Sequence, residues 1–161
     1  MRIEDSIQQK QFIHLEQKSL INIVYTANWL KGMIEDFLAP FGVTAQQFNI
    51  LRILKGQKGA SICLQEIKVR MLERNPDVSR LIDRLVAAGW VIRDQDPENR
   101  RKVEVKISSK GLMLLESIDE HIDALFAPFR KLSPSQLELL NQTLDQIREA
   151  EKLNYSKTSR R

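Results

Sequence analysis

Two short groups of side chains in this sequence carry recognisable chemistry. Ser79, Arg80 and Arg84 fall in an amphipathic stretch, and Arg100, Arg101 and Lys102 follow the polar segment Asp96-Pro97-Glu98-Asn99. A guanidinium is a permanently charged planar fork with donors and no acceptor, suited to gripping oxygen anions and flat acceptor edges rather than to making or breaking bonds. Both groups therefore point to recognition of a polyanion. Catalytic sets are missing: the sequence has no glycine-rich phosphate loop, no Gly-x-Ser-x-Gly elbow, no paired metal ligands and no histidine set near a candidate nucleophile. No enzymatic activity, cofactor or metal is expected.

The remaining reactive residues are isolated. Cys63 is the single cysteine, so no intramolecular disulfide can form, and a reducing cytoplasm suits such a chain. It reads as a small packed hydrophobe in preference to a redox sensor. His14 and His121 lie on different predicted helices and read as surface or interface residues. The first residues, MRIEDSIQQK, lack the basic-then-apolar order of an export signal, and no apolar run reaches bilayer-spanning length. No membrane partner is expected, and the chain is expected to be cytoplasmic.

The 161 residues suffice for one domain with appended helices, and the formal charge of +4 permits a nucleic-acid partner without requiring one. Distribution is more informative. Between Lys68 and Lys106 ten basic residues stand against seven acidic ones, so this stretch holds most of the excess.

The elements that must position these side chains follow from periodicity. From about Gln9 to Ala39, Leu15, Leu20, Val24, Ala27, Leu30, Ile34, Phe37 and Leu38 recur at helical spacing until Pro40. Thr44 and Gln47 form a capping box for a second helix carrying Phe48, Leu51 and Leu54, closed at Gly56. Leu64, Ile67, Met71 and Leu72 mark a short third helix. Asn75 as N-cap and Pro76 as first residue open a fourth, which runs to Ala88 and stops at Gly89. The period then falls to two. Trp90-Val91-Ile92 and Val103, Val105 and Ile107 flank a polar turn as a β-hairpin, with Ile62–Leu64 able to pair as a third strand. Ser108 or Ser109 caps a long helix bearing Leu115, Ile118, Ile122, Leu125 and Phe129, bent or ended at Pro128. Ser133 and Gln136 box a last one bearing Leu137, Leu140, Leu144 and Ile147.

The fold class is thus mainly α with a small β-hairpin wing: a winged helix-turn-helix over 41–107, a first dimerisation helix over 1–40, C-terminal dimerisation helices over 108–154 and a flexible basic tail over 155–161. In the helix opened by Asn75, turning Val78, Leu81, Ile82 and Leu85 inward leaves Pro76, Ser79, Arg80, Asp83 and Ala87 outward, with Arg84 at the edge. Small and basic residues outward suit a major groove about 12 Å wide, and the basic hairpin tip suits a minor groove. Two acids oppose this: Asp77 reads as a first-turn acid on the helix dipole, and Asp83 as a carboxylate holding Arg80 or Arg84. They also suit the alternative, a winged helix that contacts another protein. Apolar stripes on the long helices predict a homodimer. Tyr25, Trp29 and Phe48 read as core or as the lining of a pocket.

The segment VSRLIDRLVAAGWVIRDQDPENRRKVEVKISSKG, residues 78–111, resembles the recognition helix, wing and following helix start of the MarR family, and the likeness extends along nearly the whole chain. It implies a triangular homodimer joined by its first and last two helices, repressing promoters through a palindromic operator on double-stranded DNA and releasing it when a small effector or oxidant binds. Asn75, Pro76, Ser79, Arg80 and Arg84 would then read the duplex from the helix, and Asn99, Arg100, Arg101 and Lys102 from the wing. Two departures stand out. Asn99 replaces the acid of the family's Asp-x-Arg wing motif, so Arg101 lacks a charge-assisted partner there, and Ile107-Ser108 replaces Leu-Thr. Cys63 does not match the amino-proximal cysteine of peroxide-sensing members.

Overall fold

The computed structural model describes residues 2–95 and 103–158, without the side chains of residues 94, 95 and 150–158. Its elements run α1 (Ile3–Ser6), α2 (Leu15–Leu38), a 3-10 turn at Ala39–Phe41, α3 (Ala45–Lys55), β1 (Ile62–Cys63), α4 (Leu64–Arg70), α5 (Val78–Ala87), β2 (Val91–Gln95), β3 (Val103–Ile107), α6 (Ser109–Asp119), α7 (Asp123–Phe126), a 3-10 turn at Ala127–Lys131 and α8 (Pro134–Thr158). They form two compact units, residues 1–122 and 123–161.

The first unit is built on one hydrophobic core. Ile50, Leu51 and Leu54 of α3, Ile67 of α4, Leu81, Ile82 and Leu85 of α5, Val105 of β3 and Leu115 and Ile118 of α6 are all buried in it, with Leu38 closing it from the end of α2. Burying each such side chain contributes about 1.5–3 kcal/mol. The sheet is antiparallel in the order β1-β3-β2, so Ile62–Cys63 does join the hairpin as a third strand, Ile62 opposite Val105.

Local chemistry fixes the helix ends. Thr44 and Gln47 make the expected capping box on α3, the Thr44 hydroxyl accepting from the Gln47 N–H at 3.3 Å and the Gln47 carbonyl from the Thr44 N–H at 2.9 Å. Helix α5 ends in a Schellman turn: Gly89 is left-handed at φ 76°, its N–H reaches Val86 O, and the Trp90 N–H reaches Leu85 O. Three consecutive carbonyls at that end are then taken by the start of α6. Lys110 Nζ donates to Ala88 O at 2.8 Å, Ser108 Oγ to Gly89 O at 2.7 Å and the Ser108 N–H to Trp90 O at 3.0 Å.

Several boundaries differ from the sequence expectation. The first long helix starts at Leu15, not Gln9, behind the separate turn α1, whose Glu4 pairs with Lys18 at 2.7 Å. Helix α4 stops at Arg70, so Leu72 is 89% exposed instead of packed, with its N–H bonded to Asn49 Oδ1. Helix α6 ends at Asp119, well before Pro128. There the N–H groups of His121 and Ile122 bond three residues back, tightening the last turn, while Asp119 is drawn to Arg52 and Lys55 of α3. Tyr25 and Trp29 are not core residues: they stay exposed on α2 with Leu20 and Val24, because only the Ile34–Leu38 end of that helix meets the core.

The second unit is helical. Ser133 caps α8, accepting from the Gln136 N–H at 3.3 Å while Gln136 Oε1 accepts from the Ser133 N–H at 2.9 Å. The helix continues to Thr158, into the segment read as a tail. No helix among the described residues is long and apolar enough to cross a membrane.

Candidate nucleic-acid interface

The inward face of α5 is as expected, Val78, Leu81, Ile82 and Leu85 being buried, and it fixes which residues point out. Ser79, Arg80, Asp83, Arg84 and Ala87 are exposed. Two expectations at the start of this helix are corrected. Asp77, not Asn75, is the N-cap: its Oδ1 accepts from the Arg80 N–H at 3.1 Å. Pro76, expected outward at the first helical position, is buried and lies before the helix. Helical geometry begins two residues after it, at Val78. Asn75 is left-handed at φ 55° in the preceding turn, a conformation asparagine tolerates.

The acids around the exposed face are all engaged within the chain. Asp77 caps α5, Glu73 Oε2 accepts from Gln46 Nε2 of α3, and Asp83 Oδ1 lies 2.5 Å from Arg93 Nη2 of β2. Asp83 thus holds neither Arg80 nor Arg84, which corrects the expectation that it would hold one of them. The guanidinium groups of Arg80 and Arg84 have no ion pair or hydrogen bond among the described residues, and with Asn75, Asp77, Glu73 and Gln46 they line one open groove. The result is a helix surface whose negative charge is occupied and whose positive charge is available, with the donor geometry that matches phosphate oxygens and guanine edges.

The wing residues Asn99, Arg100, Arg101 and Lys102 lie outside the described residues; the strands that lead to them, β2 and β3, pair from Val91–Ile107 to Gln95–Val103. Arg93 and Gln46 were not found from the sequence. Each acts through a partner that only the fold brings near, and no spacing rule marks them.

Elsewhere the chemistry is structural. Arg52 Nη2 lies 2.5 Å from Asp119 Oδ1, the Arg52 Cζ stands over the Phe48 ring at 5.1 Å from its centroid, and Lys55 Nζ lies 3.0 Å from Asp119 Oδ2. Burial works to raise the Asp119 carboxyl, but the Lys55 hydrogen bond and the Arg52 charge outweigh it and hold the group below the usual aspartate range. Cys63 is half-buried, its N–H donating to Glu66 at 3.0 Å. His121 is exposed beside Phe41. No group of three metal-ligating side chains occurs among the described residues.

A trihelical head, α3, α4 and α5, backed by a three-stranded antiparallel sheet is a winged helix-turn-helix. The MarR family model matches residues 43–103, which span that head and its sheet. Over 95 residues the chain is 32% identical to the multiple antibiotic resistance protein MarR of Escherichia coli, a match covering 58% of this chain and 65% of that regulator's length. Among solved structures, a MarR transcription factor from Planctomyces limnophilus superposes with a TM-score of 0.65 at 32% identity, over 90% of this chain and 98% of that one. A cysteine-to-serine mutant of MarR from Escherichia coli, complexed with operator DNA, superposes with a TM-score of 0.71 at 25% identity, over 85% and 99%. The chain belongs to the MarR family of winged-helix transcriptional regulators. Its relatives and fold neighbours are regulators, not enzymes.

Proposed function

We propose that this chain is a homodimeric repressor that binds a pseudo-palindromic DNA duplex, with α5 in the major groove and the hairpin against the neighbouring minor groove. The observation that carries this reading is the asymmetry on α5: Arg80 and Arg84 are uncommitted among the described residues while Asp77 and Asp83 are both engaged. Ser79 and Arg80, in the first turn of the helix, reach base edges. Asn75 sits in the turn before it, and Arg84 meets the backbone farther along. Asn99, Arg100, Arg101 and Lys102 supply the minor-groove contact. The acids that would favour a protein partner are spent on internal bonds, which supports DNA over that alternative.

A second copy of the chain covers the apolar side of α2, where Leu20 is 64% and Trp29 52% exposed. Two reading helices then face successive turns of one side of a duplex. The proposal extends to a cytoplasmic protein released from DNA by a small effector.

Selection of bound duplexes from a random pool tests it. The expected product is an inverted repeat with half-site centres roughly 34–36 Å apart. Affinity for that duplex should fall about 10³-fold between about 50 and about 200 mM salt if six phosphates are contacted. Equal, salt-insensitive binding of selected and scrambled duplexes would overturn the reading.

A further inference from the structure

Asp83 is an anomaly on a surface meant for a polyanion. It lies on the exposed side of α5, beside the face that carries the two uncommitted arginines, with its side chain 63% exposed, and a bare carboxylate there would repel the phosphates of a docked duplex. The chain answers it from another element. Arg93 projects from β2, not from α5, and places Nη2 2.5 Å from Asp83 Oδ1. Its own side chain is 37% exposed, so the pair sits at the rim of the reading face, not inside the core.

We propose that Arg93 is a positioning residue that cancels the charge of Asp83, so that α5 presents Arg80 and Arg84 to DNA without an opposing acid beside them. This rests on the DNA-binding reading given above. Asp83 in turn holds Arg93 down on the helix and so ties the shaft of the wing to the reading helix, the same bond serving both ends. The pair is a link between two elements that approach one duplex from different grooves. An arginine on the helix itself could neutralise the acid but could not make that link.

A double-mutant cycle tests this with the full-length protein, using the duplex that the wild-type chain recovers from a random pool. Arg93→Gln should lower affinity about tenfold at low salt, the effect of one uncovered carboxylate about 10 Å from phosphate. Asp83→Asn alone uncovers the Arg93 charge at the same distance and should raise affinity by up to about tenfold at low salt. The double variant should return to within about threefold of wild type, and Arg93→Lys, which keeps the charge, should bind nearly as well as wild type. A merely structural role for Arg93 would not be repaired by Asp83→Asn. An Arg93→Gln loss that persists in the double variant, with a shallower salt dependence, means that Arg93 grips phosphate itself and overturns the proposal. So does a loss of base preference in Asp83→Asn alone, which means that Asp83 reads a base. If the wild-type chain shows no salt-sensitive binding, the DNA reading falls and this role with it, an outcome distinct from the other two.

Discussion

The hydroxyl of Ser108 donates to the carbonyl of Gly89 at 2.7 Å and at the same time accepts from the Gly111 N–H at 3.0 Å, so one oxygen joins the end of α5 to the start of α6. The group is buried, and either bond left unmade would strand a polar atom. Ser108→Ala should therefore lower stability by about 1–2 kcal/mol in urea unfolding. Ser108→Asp keeps a cap acceptor but turns a carboxylate on the Gly89 carbonyl, so it should rescue nothing.

Gly111 is required by the same junction. A Cβ there would stand 2.3 Å from Trp90 O and 2.9 Å from a side-chain carbon of Ile107. Backbone cannot yield as a flexible side chain does. Gly111→Ala should destabilise by about 1–3 kcal/mol net, although alanine is the better helix former by roughly 1 kcal/mol. A melting temperature at or above that of the wild type would contradict the close approach.

Asp119 should give the first unit an acid-sensitive brace. Its carboxyl is held below its unfolded value, so its contribution is fully present above roughly pH 4 and is lost as the pH falls through the lowered folded value. Asp119→Asn should flatten that acid limb of a stability-against-pH curve while Arg52 and Lys55 remain. An unchanged limb would mean that the α3–α6 bridge does not contribute.

Arg80 and the wing arginine should fail differently on DNA. Arg80→Ala should relax base preference at one position per half-site, a discrimination worth about 1–3 kcal/mol, whereas Arg101→Ala should weaken binding to all duplexes alike. Duplex selection repeated with each variant distinguishes the two patterns, and their exchange would reverse the assigned roles.

Dimerisation can be separated from folding because the exposed part of α2 lies off the core. Leu20→Glu should leave the helical circular dichroism unchanged and shift micromolar sedimentation from dimer to monomer. A wild-type chain that sediments as a monomer would contradict the paired reading heads.

What could be read from the sequence was whatever a few neighbouring residues decide. The boxes at Thr44–Gln47 and Ser133–Gln136 are self-contained, and the inward face of α5 follows from the spacing of Val78, Leu81, Ile82 and Leu85. Misjudged features depend on distant partners. Asn75 and Asp77 are both able caps by residue type, and the fold uses Asp77; the stop at Asp119 goes with Arg52 and Lys55, which lie on another helix. Asp83 had two arginines nearby on its own helix, yet it pairs with Arg93, which the turn at Gly89 folds back alongside.

The Asp77 cap also changes how this helix greets an anion. The positive pole of a helix is ordinarily a seat for phosphate, but here the molecule's own carboxylate already sits in it. A phosphate arriving at that spot meets an occupied place. On the proposed reading attraction falls instead to the exposed arginines, Arg80 in this same turn for base edges and Arg84 a turn farther along for the backbone.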